Sequence, residues 1–110
     1  MARDLHWSGP ARRVAAGLWD RADAGLAERG EFEWAVRVID GKEHIACMIL
    51  ICPGCKMISA LPLMKPSLWP RLPGEDWHWN GNIDRPTLSP SIHHVGCWHG
   101  HLVDGVLKAC

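Results

Sequence analysis

A tight Cys-Pro-Gly-Cys turn (Cys52 and Cys55) and a later group (Cys97, His99 and Cys110) are the residues whose types and spacing could do chemistry. Zinc takes four nitrogen or sulfur ligands in a tetrahedron, and a Cys-x-x-Cys turn supplies two of them from one loop. About 45 residues separate the turn from the later group. A shared metal would close that long loop and stabilise the fold. Four protein ligands leave no open position for a substrate water, so the implied role is structural. Cys52 and Cys55 rank first as ligands, then Cys110, and Cys97 and His99 compete for the remaining place.

Other chemistry is weaker. Cys52 and Cys55 could form a thiol redox pair, which needs a following helix start to lower a thiol pKa. Lys56 to Leu63 runs into prolines instead. A zinc deaminase requires a His-x-Glu motif, and the chain has none. A copper or iron monooxygenase would draw on His78, His93 and His94. Adjacent strand residues such as His93 and His94 point to opposite faces. The expectation is therefore a protein that is not an enzyme. For binding, Trp77 and Trp79 point the same way if extended, with Asn80 and Asn82 close by. They would form a stacking platform for a partner protein or for single-stranded nucleic acid. Only Arg71 and Arg85 are basic neighbours, which favours a protein partner.

Composition bounds these readings. The chain has 110 residues, enough for one domain. Lys plus Arg and Asp plus Glu are 12 each, so no net field draws the chain to nucleic acid or an anionic membrane. Arg12, Arg13 and Arg21 form a local basic segment. Five cysteines, an odd number, fit a closed disulfide framework poorly. The polar start, Met1 to His6, carries no apolar targeting segment, and Ile45 to Cys52 is too short to span a bilayer. A cytoplasmic location with reduced thiols follows as the expectation.

The positioning elements fall into three parts. Residues 1–30 read as a helix, with Ser8 as cap and Pro10 in the first turn. Val14, Leu18, Trp19, Ala22 and Leu26 form its apolar stripe, and Gly30 is the stop. Gly17 and Gly25 count against it. Residues 31–51 read as a hairpin about Asp40-Gly41. Ile39 then faces Lys42 and Trp34 faces Cys47, which becomes a small core residue. Residues 52–110 hold the knuckle, a strand from Ile58 to Met64, and a loop rich in proline (Pro62, Pro66, Pro70, Pro73). An extended Thr87 to Ser89 and a closing hairpin about Asp104-Gly105 follow. That turn sets His99 opposite Cys110 and puts Cys97, His99 and His101 on one face. The fold class expected is α+β: an N-terminal helix packed on a small antiparallel sheet, with a knuckle and hairpin like a zinc ribbon.

The motifs also resemble a known family. Cys52-Pro53-Gly54-Cys55, Trp77 to Asn82, Arg85-Pro86-Thr87-Leu88-Ser89-Pro90-Ser91-Ile92, a Cys/His pair before Asp104-Gly105, and a closing cysteine are similar to small phage and prophage proteins. Their shared domain has no assigned function, and members often carry the label "ammonia monooxygenase". The resemblance covers Ile51 to Cys110. It implies a phage-encoded accessory protein with zinc-site residues at Cys52, Cys55, His99 and Cys110. By analogy, such a protein acts by binding a host or phage macromolecule, host defence machinery included. Here Trp98 separates Cys97 from His99, where the family usually has the two adjacent. The chain also stops at Cys110, where the family usually continues to a further histidine.

Overall fold

The computed structural model describes residues 5–63 and 77–110. The expected N-terminal helix is replaced by three short pieces. Gly9–Pro10 forms β1, Arg12–Arg13 forms β2, and only Leu18–Asp23 forms a helix, α1. Two glycines explain the difference. Gly17 at the helix start and Gly25 just past its end both take positive φ, 83° and 73°, where a continuous right-handed helix cannot run. Pro10, lacking an N–H, suits the short edge strand it occupies. The first turn of α1 is capped from outside, because Leu18 N–H donates to the Glu33 carboxylate at 2.9 Å.

Strands make up most of the remainder: β3 (Glu31–Ile39), β4 (Lys42–Ile51), β5 (Ile58–Pro62), β6 (His78–Trp79), β7 (Leu88–His94), β8 (Trp98–Val103) and β9 (Val106–Ala109). They form a four-stranded sheet in the order β2-β3-β4-β5 and a five-stranded sheet in the order β1-β9-β8-β7-β6. The α+β class is therefore corrected to a nearly all-β fold. Phe32, Trp34, Met48, Leu50, Leu61 and Leu63 of the first sheet and its adjoining chain meet Leu88, Ile92, Trp98, Leu102 and Leu107 of the second. Those two apolar faces make the main core, as in a sandwich. A second cluster of Leu18, Ala27, Cys47, Ile49 and Ile51 covers the far face of the four-stranded sheet. That arrangement explains why Ala46 to Ile51 is an unbroken buried run: the end of β4 is covered on both faces.

Both Asp-Gly turns form as their residues dictate, with Asp40 at φ 51° and Asp104 at φ 48° and with Ile39 opposite Lys42 and Val103 opposite Val106. The first hairpin holds a bulge between Ala35 and Val36, so Trp34 faces Met48 and Cys47 faces Ala35. The expected Trp34–Cys47 pairing is corrected by that one-residue slip. Cys47 is still a core residue, and burial pushes its thiol pKa up. The proline-rich loop from Pro66 to Pro73, with Arg71 and the end of the expected strand at Met64, lies outside the described residues.

The chain crosses between the sheets at Ala11. β1 pairs with β9 and β2 with β3, while Ala11 N–H donates to Gly105 O at 2.8 Å and Arg12 N–H to Gly30 O at 2.9 Å. Glu31, where β3 begins, accepts Arg21 at 2.9 Å and Glu28 N–H at 2.7 Å. Burial alone would raise its pKa. The Glu28 N–H, the Arg21 hydrogen bond and the charges of Arg21 and Arg12 outweigh that and hold it below the ordinary carboxylate value. A depressed folded-state pKa means that this stability is present above the unfolded carboxylate range and lost as pH falls through the folded value. Glu31→Gln should cost about 1–3 kcal/mol at pH 7 and flatten the acid limb in urea titrations at pH 7 and pH 4. An unchanged limb would show that Glu31 does not carry it.

Candidate functional site

The outer face of the five-stranded sheet gathers the polar residues of β7 and β8. Along β8, Trp98, Gly100 and Leu102 are buried while His99, His101 and Val103 face out, as strand alternation requires. On β7, Leu88 and Ile92 are buried. Leu88 faces Leu102 and Ile92 faces Gly100, so Ser89, Pro90 and Ser91 stand opposite His101 alone. Such a bulge re-aims a side chain. Here it brings the Ser91 hydroxyl to 2.9 Å from His99 Nε2. Trp77 Nε1–H reaches back to the Ser91 carbonyl at 3.4 Å.

His99 is held in three ways. Its strand partner His93 stacks on it, with ring centroids 4.5 Å apart and planes 31° apart. Cys110 N–H donates to the His99 carbonyl at 2.9 Å. The Ser91 hydroxyl occupies Nε2. Among the described residues from Trp77 onward, the acids are Asp84 and Asp104. Arg13 lies 3.3 Å from Asp84 and Arg85 lies 2.9 Å from Asp104. The arrangement is thus a serine–histidine pair oriented by ring stacking and backbone contacts, with those two carboxylates engaged elsewhere. A hydroxyl on the nitrogen that must accept its proton is the geometry of an activated nucleophile. A shallow bowl of about 180 Å³ lies beside it, lined in part by Leu5, His6, His93, Cys97, His99 and Cys110.

A second serine–histidine contact sits at the edge of the sandwich. The Ser59 hydroxyl of β5 lies 3.2 Å from His94 Nε2. Burial lowers the His94 pKa and so favours the neutral ring.

The Cys-Pro-Gly-Cys turn is built like a thiolate cradle, with Gly54 N–H 3.4 Å from Cys52 Sγ and Lys56 N–H on the Cys52 carbonyl at 3.0 Å. Gly54 packs on the Cys97 backbone so closely that a Cβ would collide with the Cys97 carbonyl. The expected ligands divide. Cys52 is buried, and Cys55 and Cys97 line a hollow with His94. His99 is engaged with Ser91, and Cys110 Sγ lies 3.8 Å from His101 Nδ1. Among the described residues, no group of three or more His, Cys, Asp or Glu is placed to hold a metal ion. As placed, these side chains do not converge on one point, and the zinc-ribbon description of the fold is corrected to two packed sheets. Of the expected partner platform, Trp77 and Trp79 are half-buried against the core. Asn80 Oδ1 accepts the N–H groups of Asn82 and Thr87, and Asn82 Oδ1 those of Asp84 and Arg85. Both asparagines thus organise their own loop.

A family model described as "Bacterial ubiquitination-like system serine protease (BubE)" matches residues 24–110. The chain belongs to the BubE family. The matched residues include Ile51 to Cys110. No curated protein and no solved structure matches the chain. The BubE description overturns the expectation of a non-enzymatic module of unassigned function, and with it the readings as a thiol oxidoreductase and as a single-strand binder. The spacing of metal ligands carries no signal for a serine. Ser91 sits between Pro90 and Ile92, just beyond the expected extended piece Thr87 to Ser89. Continuing that strand to His94 and pairing it with His99 would have exposed the contact. In this BubE-family chain, no helix among the described residues is long and apolar enough to cross a membrane.

Proposed function

We propose that this BubE-family chain is a serine protease acting on protein substrates of a bacterial ubiquitination-like system, with Ser91 as nucleophile and His99 as general base. The observation that carries the reading is the 2.9 Å contact between the Ser91 hydroxyl and His99 Nε2 on the outer face of the sheet. In the reaction, the Ser91 oxygen attacks the scissile carbonyl carbon while His99 Nε2 takes the hydroxyl proton. His99 then returns that proton to the departing amine as the carbon–nitrogen bond breaks, leaving an acyl ester on Ser91. Water, deprotonated by His99, cleaves the ester and restores the serine. The role of His93 is positional: its stacked ring fixes the plane of His99.

The family description implies protein partners, since a protease of a conjugation system meets proteins. A fluorophosphonate probe tests the nucleophile directly. We expect one adduct per chain, mapped by peptide mass spectrometry to Ser91 and lost in His99→Ala. An adduct on Ser59, or none at all, would refute the assignment.

A further inference from the structure

Sharing His94 and Cys97 with the bowl that His99 lines is a hollow of about 220 Å³ whose walls also include Cys55, Ile58 and Ser59. Its flanks are Met57 and Val95, 69% and 85% exposed. Large apolar side chains left in water around an apolar hollow mark a place where a ligand excludes that water. No charged side chain is among its lining residues. Its polar pair, Ser59 and His94, satisfy each other at 3.2 Å, and burial disfavours a charge on the half-buried His94 ring. The hollow therefore offers nothing to a carboxylate, a phosphate or an ammonium. What it offers is dry contact for an aliphatic or thioether group.

The hollow is continuous with the reacting centre. His94 and Cys97 line both it and the bowl that contains His93 and His99. A chain lying in the bowl beside His99 reaches this hollow across the walls the two share, His94 and Cys97.

We propose that the hollow between the cysteine knuckle and the β7–β8 turn is a specificity subsite that takes one apolar side chain of the substrate peptide, of leucine or methionine size. This deepens the protease reading and rests on it for the peptide nature of the ligand. It assigns Met57 and Val95 as residues that determine specificity without touching the reacting atoms.

Binding can be read apart from turnover. In a Ser91→Ala chain, acetyl-Gly-Leu-Gly-amide and acetyl-Gly-Ala-Gly-amide are titrated while the methyl resonances of Met57, Ile58 and Val95 are followed by NMR. We expect the leucine peptide to shift those methyls and to bind roughly tenfold more tightly than the alanine peptide. In a further Val95→Asp variant, whose exposed position spares the fold, that preference should vanish. Equal affinities, no detectable binding of either peptide, or shifts confined to the hairpin tip at Val36 and Val38 would overturn the proposal. A failure of Ser91 as nucleophile would appear in probe labelling of the unsubstituted chain and not in this titration.

Discussion

Replacing Ser91 by Ala should lower peptide-bond hydrolysis by about three orders of magnitude or more, and His99→Ala should do nearly the same. The two groups act as one unit. The serine hydroxyl is a poor nucleophile until a base accepts its proton, and the histidine has nothing to activate without it. The double variant should therefore be scarcely worse than either single one. A simple sum of effects would argue that the 2.9 Å contact is structural. Neither side chain is buried, so thermal unfolding should stay within a few degrees and loss of fold cannot mimic loss of activity. The unsubstituted chain should also be slow. In a triad, the carboxylate behind the histidine is worth about four orders of magnitude, whereas here Asp84 and Asp104 are paired with Arg13 and Arg85. Stacking by His93 orients the ring without stabilising the imidazolium as a carboxylate does. Turnover of a fluorogenic peptide amide by the four proteins decides the matter.

Trp98→Ala should be the most destabilising of the substitutions considered. Trp98 is 1% exposed in the main core, and its indole N–H donates to the Trp7 carbonyl at 2.9 Å. Its ring lies against Gly100, where a side chain would strike it. Truncating such a residue costs about 3–5 kcal/mol through lost contacts and the remaining cavity. The Trp7 carbonyl, left without its donor, adds to that cost. Set against a stability of about 5–15 kcal/mol for an ordinary domain, this should lower the melting temperature by more than about 10 °C. Trp98→Phe keeps most of the packing and loses the hydrogen bond, so it should fall between the two. Urea unfolding followed by far-UV circular dichroism measures all three. A loss below about 1 kcal/mol for the alanine variant would show that the two sheets do not depend on this ring.

The legible parts of the fold were those set by local backbone chemistry. Asp40-Gly41 and Asp104-Gly105 specify their turns through positive φ, and the pairing of Ile39 with Lys42 and of Val103 with Val106 follows from the turn alone. The register of β8 against β9 was legible for the same reason, which put His99 and Cys110 at the same end of the sheet. What depended on distant partners was not legible. The stripe from Val14 to Leu26 has helical spacing, yet Leu18 is buried under β4 while Trp19 and Leu26 stay in water. The glycines at 17 and 25 decided that contest. The slip at Ala35 is invisible without its partner strand. Ser91 was overlooked because hydroxyls show no spacing signature. Its meaning comes from a bulge in β7 and from His99 on the next strand, a pairing that no short motif encodes.

The crossing at Ala11 has a mechanical consequence. Gly9–Pro10 belongs to one sheet and Arg12–Arg13 to the other, so a single residue transmits any sliding of one layer over the other into two ladders at once. Sliding one layer over the other would therefore strain both ladders. The Ser91–His99 pair lies wholly on the five-stranded layer, while the hollow takes Ser59 from the four-stranded one. Strapping the layers together fixes the span between the nucleophile and the side-chain hollow like the jaws of a set gauge. On the proposed protease reading, selection would work by length: a substrate would be accepted when its own chain bridges that span.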